Sequence, residues 1–232
     1  MKSNEKKVKT SKTRQTVNYK IAMTGIFGAL SIILAFTPIG YIQVGPLAIT
    51  IMHIPTILAT LTAGLIPGLC TGFIFGISSL IVAATSGTAS NVFFVNPMVS
   101  VLPRMLFPVA VWGIFKLFDL IPHMPKTLSS GFAAAIGTAV HTVLVLGALV
   151  IFYGKELGFA TDNMLKGFFI FLGGTLATNG VWEIVSATVL TVLVTGAIYG
   201  IKSKKSRLSR LEAELNLKDN EISEENNHLS TD

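Results

Sequence analysis

Residues 21–52 read IAMTGIFGALSIILAFTPIGYIQVGPLAITIM, and this stretch contains no side chain that is charged in water. Between Ile21 and Phe115, only His53 and Arg104 could carry a charge. The surface of a soluble domain needs charged side chains to stay solvated, whereas 51% of this chain is hydrophobic and its mean hydropathy is +0.66. The sequence therefore predicts an integral membrane protein, and the few ionisable groups inside it are the first candidates for function.

The two ends of the chain differ sharply from this apolar region. Residues 1–18 are basic, and residues 202–232 begin with lysine and arginine and then become acidic. We therefore divide the 232-residue chain into a basic N-terminal segment (1–18), a transmembrane domain (19–201) and a charged tail (202–232). The tail is polar and highly charged, so we expect it to be solvated and partly disordered.

A membrane-spanning helix needs about 20 mostly apolar residues, so the region between the two charged ends has room for six of them. Proline and glycine breaks, together with polar connections, separate the segments. The predicted fold class is all-α, an integral membrane bundle of six transmembrane helices with both termini cytoplasmic. The helices are expected at about residues 19–36, 50–63, 67–84, 98–117, 128–153 and 179–201.

Two segments between these helices have no helical assignment of their own. Residues 41–49 are expected to form a short outer connection. Residues 167–176 are apolar but too short to span, so they are interfacial or re-entrant, or they extend the sixth helix.

The distribution of positive charge gives the orientation. With six helices, fifteen Lys and Arg residues fall on the side of the termini and two, Lys155 and Lys166, on the opposite side. Positive charge accumulates on the cytoplasmic side of membrane proteins, so the termini are predicted to be cytoplasmic, with the protein in the plasma membrane. The net charge of +6 flanks membrane segments instead of forming a patch on a folded domain, which argues against nucleic acid as a partner.

Small residues in the first helix lie four apart, as in Thr24/Gly28 and Gly25/Ala29. Small side chains at this spacing let another helix approach closely. The approaching helix belongs either to the same bundle or to a partner protein, and the spacing alone leaves both interpretations open.

Polar side chains gather at what the topology makes the outer end of the bundle. A polar cluster near one mouth of an apolar bundle is typical of a cavity for a small polar molecule, although helix capping and loop solvation would also explain such residues. The candidate substrate-binding residues are Tyr41, Gln43, His53, Ser90, Asn91, Asn96, Arg104, Asn179 and Glu183.

Arg104 is the most informative of these candidates. It lies about 10 Å into the fourth helix, at a rise of about 1.5 Å per residue, where an unpaired guanidinium would cost several kcal/mol. Glu183 is the only carboxylate in a predicted spanning segment, so an Arg104–Glu183 ion pair is one hypothesis. Binding of an anionic substrate by Arg104 is the other, and a shared network would satisfy both. A lone histidine such as His53 more often packs against its neighbours than binds a ligand.

The sequence lacks the usual catalytic and nucleotide-binding motifs. It contains no His-Glu-x-x-His pattern and no Gly-Lys-Ser/Thr of a phosphate-binding loop. We therefore predict no enzymatic activity, no cofactor and no metal site. Transport against a gradient would need an ion gradient or separate ATPase subunits.

Four stretches of the chain resemble the substrate-binding S components of energy-coupling factor (ECF) vitamin transporters, and the similarity extends over about residues 18–202. They are Ile49-Thr-Ile-Met-His-Ile-Pro55, the glycine-rich Gly68-Leu-Cys-Thr-Gly-Phe-Ile-Phe-Gly76, Phe94-Val-Asn-Pro-Met-Val-Ser-Val-Leu-Pro-Arg104, and Asn179-Gly-Val-Trp-Glu183. Within this family, the Thr-x-Met-His-Ile-Pro version looks most like the pantothenate type.

The resemblance implies a six-helix subunit that captures a vitamin at the outer face. It also implies docking onto a transmembrane coupling subunit driven by two cytoplasmic ATPases. In the family, small residues of helix 1 form the docking face, and Ala22, Gly25 and Ala29 occupy those positions here, with Gly25 in place of an alanine. Pantothenate carries a carboxylate, which a guanidinium such as that of Arg104 suits.

Other interpretations remain open at this point. Related S components take hydroxymethylpyrimidine, pyridoxine, folate, cobalamin or riboflavin. A membrane enzyme is another interpretation, and His53 and Glu183 would have to be its catalytic groups. A membrane scaffold that only assembles partners predicts a filled bundle without an outer cavity.

Overall fold

The computed structural model describes the backbone of residues 2–44, 47–85, 89–157 and 164–229, and the side chains of residues 16–40, 50–85, 92–157, 166–201 and 203–219. The chain forms two compact units, Met1–Thr195 and Gly196–Asp232. The first unit contains every candidate substrate-binding residue. The second unit lies in the C-terminal part of the last helix, and its described side chains from residue 203 onward are exposed.

The described chain is mainly helical. The helices are α1 (Lys2–Phe36), α2 (Ile54–Ala63), α3 (Leu65–Thr85), α4 (Pro97–Ser100), α5 (Leu102–Asp119), α6 (Lys126–Tyr153), α7 (Met164–Thr175) and α8 (Val181–Leu229). Short 3-10 segments cover Pro38–Gly40 and Ala89–Val95, and one π-helical segment covers Leu176–Gly180.

The stretch expected to be a plain outer connection contains two strands. Strand β1 (Tyr41–Val44) pairs antiparallel with β2 (Leu47–Thr50), with Tyr41 opposite Thr50 and Val44 opposite Leu47. The all-α prediction did not include this hairpin. Its sequence is rich in β-branched and aromatic residues with Gly45-Pro46 in the middle, a pattern that favours a hairpin once it is recognised.

Five helical segments of the described residues are long and apolar enough to cross a membrane. They are Thr16–Phe36, Leu65–Thr85, Pro97–Asp119, Lys126–Tyr153 and the continuous stretch Lys166–Asp219. Many of the large apolar side chains on them are exposed, as a lipid-facing surface requires. The protein is therefore a multi-pass helical membrane protein.

The remaining apolar helix, α2, has only ten residues and lies in the middle of the bundle. Ile57 and Ala59 are fully buried, and they belong to one apolar core with Phe107 of α5 and Ala133 of α6. Neighbouring helices thus surround α2.

Two hydrogen bonds show how α2 runs beside α1. Ile51 N donates to Gly40 O (3.2 Å) just after the end of α1, and Tyr19 Oη donates to Thr62 O (3.4 Å) near the beginning of its apolar part. The chain therefore returns along the apolar length of α1 between Ile51 and Thr62. It then reverses at Gly64, whose φ of 103° only glycine adopts readily.

Residues 167–176 extend the last helix. Helix α7 continues through the π-helical segment into α8, which leaves no re-entrant break between them. The structure gives residues 202–229 a helical backbone, and the solvated, partly disordered state of the tail stays a prediction. The division of the chain into three segments remains a prediction.

Candidate functional site

A partly open cavity of about 190 Å³ lies among the hairpin, α3, α5 and α6. Its wall combines apolar side chains with a few polar groups, which is typical of small-molecule sites. The lining residues are Thr50, Met52, Phe75, Ser79, Val82, Ala83, Phe94, Arg104 and His141. Arg104 is the one sequence-predicted candidate among the described side chains that lines it directly.

The Arg104 side chain is held firmly in the cavity wall. Only 7% of it is exposed, and Nη1 donates a 2.6 Å hydrogen bond to Val99 O. The central guanidinium carbon lies 5.7 Å from the ring centroid of Phe75 and 5.4 Å from that of Phe94. Aromatic faces attract a cation at such distances. The result is a buried, oriented positive charge at a cavity, which suits an anionic ligand.

Glycines of α3 bring Arg104 close to this cavity. A Cβ atom on Gly72 would collide with the Arg104 carbonyl oxygen, and one on Gly76 would lie 2.8 Å from the Cα atom of Val101. Because neither glycine has a side chain, the backbones of α3 and of the α4–α5 region approach closely. This approach explains the glycine-rich pattern of the third predicted helix.

The helix start before Arg104 is set by Asn96. Its Oδ1 accepts a 2.9 Å hydrogen bond from Met98 N, which caps α4, and Pro97 occupies the first helical position. The Asn96 amide thus has a structural role, which the order Asn-Pro indicates.

The hydrogen bonds of the Glu183 carboxylate lead to the hairpin, and the Arg104–Glu183 ion pair stays a prediction. The Glu183 carboxylate accepts hydrogen bonds from Thr50 N (3.1 Å) and Thr50 Oγ1 (2.6 Å). Thr50 ends β2 and lines the cavity. Glu183 therefore supports the cavity wall through Thr50.

His53 lies behind the cavity wall, against a residue that the sequence analysis did not select. It is 1% exposed, and its ring stacks on that of His141, with centroids 5.6 Å apart and an interplanar angle of 22°. His141 lines the cavity. It lies in α6, outside the range Ile21–Phe115 in which the sequence analysis searched for ionisable side chains. The reasoning that selected Arg104, an ionisable group inside an apolar span, would have identified His141 as well.

Asn179 is not among the residues that line the cavity, and the remaining predicted site residues cannot be compared with its wall. Asn179 lies in the π-helical segment, and its buried Oδ1 has no hydrogen-bond partner among the described residues. Tyr41 and Gln43 are in β1, and Ser90 and Asn91 are in a 3-10 segment, but their side chains lie outside the described set. Within the described ranges, no three His, Cys, Asp or Glu side chains come close enough to hold a metal ion.

The small residues of α1 divide between two environments. Gly28 is buried, and a Cβ atom there would lie 2.7 Å from Ile74 Cδ1 of α3. Ala22, Gly25 and Ala29 are exposed, and a Cβ atom on Gly25 would meet nothing within 4 Å. We call Ala22, Gly25 and Ala29 the small-residue strip. Packing within the bundle thus applies to Gly28, whereas docking of a partner on the small-residue strip stays a prediction.

Comparison with known proteins identifies the family. A family model described as the substrate-specific component of the ECF transporter matches residues 19–195. The pantothenic acid transporter PanT of Lactococcus lactis subsp. cremoris is 26% identical over 195 residues, which cover 77% of this chain and 92% of that protein. The pantothenate transporter PanT of Leuconostoc mesenteroides subsp. mesenteroides is 24% identical over 194 residues, which cover 79% and 94%.

The matched region contains the cavity, Arg104, His53, His141 and the small-residue strip. It confirms the family resemblance that the sequence motifs indicate. It also confirms that the protein is a component of a transporter and not an enzyme, which removes the membrane-enzyme hypothesis. This chain belongs to the family of substrate-specific components of ECF transporters.

Proposed function

We propose that this protein captures pantothenate from outside a bacterial cell and delivers it to an ECF module for import. The observation that carries the proposal is the buried guanidinium of Arg104 at the wall of a small cavity. Pantothenate has one carboxylate, which matches this cation. Its remaining apolar and neutral polar groups match the rest of the wall. Two relatives that match over most of their length bear the name of pantothenate transporters.

The residues of the proposed site have different roles. Arg104 binds the ligand carboxylate, with its guanidinium oriented by Val99 O, Phe75 and Phe94. Glu183 holds Thr50 in the wall. Tyr41, Gln43, Ser90, Asn91 and Asn179 remain predicted contributors to the outer part of the site.

The proposed topology has six crossings, with both termini in the cytoplasm. Five helices of the described residues are long enough to span, and the return of the chain beside α1 between Ile51 and Thr62 supports a crossing by α2 with the residues before it. A short helix is tolerated there because its neighbours bury it. The excess of Lys and Arg on the side of the termini supports the orientation in the plasma membrane.

The proposed partners are a transmembrane coupling subunit and two cytoplasmic ATPases. The small-residue strip on α1 supports this part of the proposal, because it is exposed and has room for a close helix approach. A membrane scaffold without ligand is disfavoured, because such a protein would have no reason to keep a cavity with a buried cation.

Binding to the purified full-length protein tests the proposal. Pantothenate should raise the melting temperature in a screen of water-soluble vitamins, and calorimetry should show binding. Arg104→Ala should weaken pantothenate binding by more than about tenfold, or about 1.4 kcal/mol. It should have little effect on pantothenol, in which an alcohol replaces the carboxylate.

Two outcomes would contradict the proposal. Stabilisation by a different vitamin and not by pantothenate would assign the protein to another S-component subtype. Unchanged pantothenate affinity in Arg104→Ala would remove Arg104 from the site.

A further inference from the structure

Two buried imidazoles lie beside the cavity, and the recognition of a carboxylate does not account for them. His141 lies in α6 and lines the cavity, and His53 stacks on it from behind. Both are buried, with exposures of 9% and 1%. A stacked histidine pair inside a transmembrane bundle is uncommon enough to need an explanation.

The ring of His141 is fixed from three sides. The centroid of Phe107 lies at 4.7 Å, that of His53 at 5.6 Å and that of Phe75 at 6.0 Å. Ring contacts of this kind leave an imidazole little freedom to rotate away. His141 is therefore a preorganised part of the wall, as a binding residue must be.

The hydrogen bonding of this pair is incomplete. Nε2 of His141 and Nε2 of His53 are buried and have no hydrogen-bond partner among the described residues. Burial of an unsatisfied polar group costs about 1–3 kcal/mol, so such groups normally have a function or a missing partner. For His141, which borders the cavity, a bound ligand is the natural partner.

Phe75 connects this imidazole with the cation. Its ring centroid lies 5.7 Å from the central guanidinium carbon of Arg104 and 6.0 Å from the ring centroid of His141. Arg104 and His141 thus present two different kinds of polar group to the same small space. A neutral imidazole has one donor and one acceptor nitrogen, which matches a hydroxyl group, whereas a guanidinium matches a carboxylate.

We propose that His141 binds a neutral hydroxyl group of the ligand and that His53 positions it by stacking. The site then recognises a short carboxylate that also carries hydroxyl groups, with the carboxylate at Arg104 and a hydroxyl at His141. This inference rests on the proposed function and extends it to the second end of the ligand. His53 is a positioning residue, since it does not border the cavity.

Calorimetry on the purified full-length protein with three ligands tests the inference. The ligands are pantothenate, pantothenol, and the analogue of pantothenate in which hydrogen replaces both hydroxyl groups. His141→Phe should weaken pantothenate and pantothenol alike by about tenfold, or about 1.4 kcal/mol. It should leave the affinity for the analogue without hydroxyl groups unchanged. His141→Gln, which keeps a donor and an acceptor, should retain most of the affinity for pantothenate.

Variants of His53 separate positioning from binding. His53→Phe keeps an aromatic ring against His141 and should preserve the preference for pantothenate over the analogue without hydroxyl groups. His53→Ala removes the ring and should reduce that preference. The melting temperature without ligand shows which variants are folded. If His141→Phe is not folded, His141→Gln is the variant compared with the wild-type protein.

The outcomes distinguish this inference from the proposed function. Pantothenate binding that is unchanged in both His141 variants would overturn the inference and leave the proposed function standing. An equal loss for pantothenate and for the analogue without hydroxyl groups would show that His141 is merely structural, which also overturns it. Wild-type protein that binds no pantothenate would overturn the proposed function itself.

Discussion

The carboxylate of Glu183 accepts two hydrogen bonds from one residue, Thr50, at 2.6 Å from its hydroxyl and 3.1 Å from its backbone nitrogen. Thr50 is the last residue of the hairpin and part of the cavity wall, whereas Glu183 lies in the last helix. This pair therefore ties the hairpin to the bundle. Glu183 thus acts on the cavity wall through the protein itself.

Removal of the Glu183 carboxylate should loosen the cavity wall. Glu183→Ala leaves the hydroxyl and N–H of Thr50 without their acceptor, and a hydrogen bond to a charged group contributes about 1.5–3 kcal/mol. We expect a lower melting temperature and weaker pantothenate binding, measured by thermal unfolding and calorimetry. Glu183→Gln keeps one acceptor oxygen, so its melting temperature and its pantothenate affinity should fall less. Equal losses in the two variants would instead indicate that the negative charge itself contacts the ligand.

The close approach of α3 to Arg104 should be sensitive to a single methyl group. In Gly72→Ala the new Cβ meets the Arg104 carbonyl oxygen, so α5 must move, at a cost of about 1–3 kcal/mol. We expect reduced stability together with reduced pantothenate affinity, because Arg104 moves with α5. Thermal unfolding and calorimetry on the same preparation measure both.

Gly113→Ala is the matched control for this change. Gly113 is an exposed glycine in α5, and a Cβ atom there meets nothing within 4 Å. Replacing a helical glycine by alanine at such a position should be neutral or should stabilise by about 0.5–1 kcal/mol. If Gly72→Ala behaved like Gly113→Ala, Gly72 would not determine where Arg104 lies.

A bulky residue on the small-residue strip should block docking and spare ligand binding. In Gly25→Leu the side chain projects from an exposed position on α1, where it would keep a partner helix at a distance. We expect loss of co-purification with the coupling subunit and the ATPases, and loss of uptake in cells. Pantothenate affinity of the isolated protein should remain unchanged.

Gly113→Leu places the same side chain on another exposed helical glycine and should co-purify normally. Normal co-purification of Gly25→Leu as well would exclude the small-residue strip as the docking face. Reduced ligand affinity in Gly25→Leu would show that the substitution disturbs the bundle itself.

Asn96 should affect stability more than binding. Its side chain caps α4 through Met98 N, and removal of such a cap costs about 1 kcal/mol. Asn96→Ala should therefore lower the melting temperature and leave pantothenate affinity nearly unchanged, while Asn96→Ser should restore the stability. A large loss of affinity in Asn96→Ser, which can still cap, would assign the amide to the ligand.

The membrane class and most of the helices could be read directly from the sequence. Hydropathy and helix breaks are local properties, so the end of the first helix at Phe36 and the last residue of the α6 span, Tyr153, were predicted correctly. Arg104 also stood out, because a charged group in an apolar span is costly wherever the helix packs. The hairpin at 41–50 was missed because its position between two predicted helices suggested a loop. Only its content of β-branched and aromatic residues indicates strands.

The partners of these residues were decided by the tertiary structure alone. Glu183 lies 133 residues from Thr50 along the chain, and nothing local predicts that these two residues meet. Likewise, His53 and His141 meet only because α2 is buried in the centre of the bundle, against α6. A sequence fixes which residues must be inside the membrane, since transfer from water depends on each side chain. The depth of a helix in the membrane and its rotation about its own axis depend on how all the side chains pack together. Both are therefore determined only in the complete bundle.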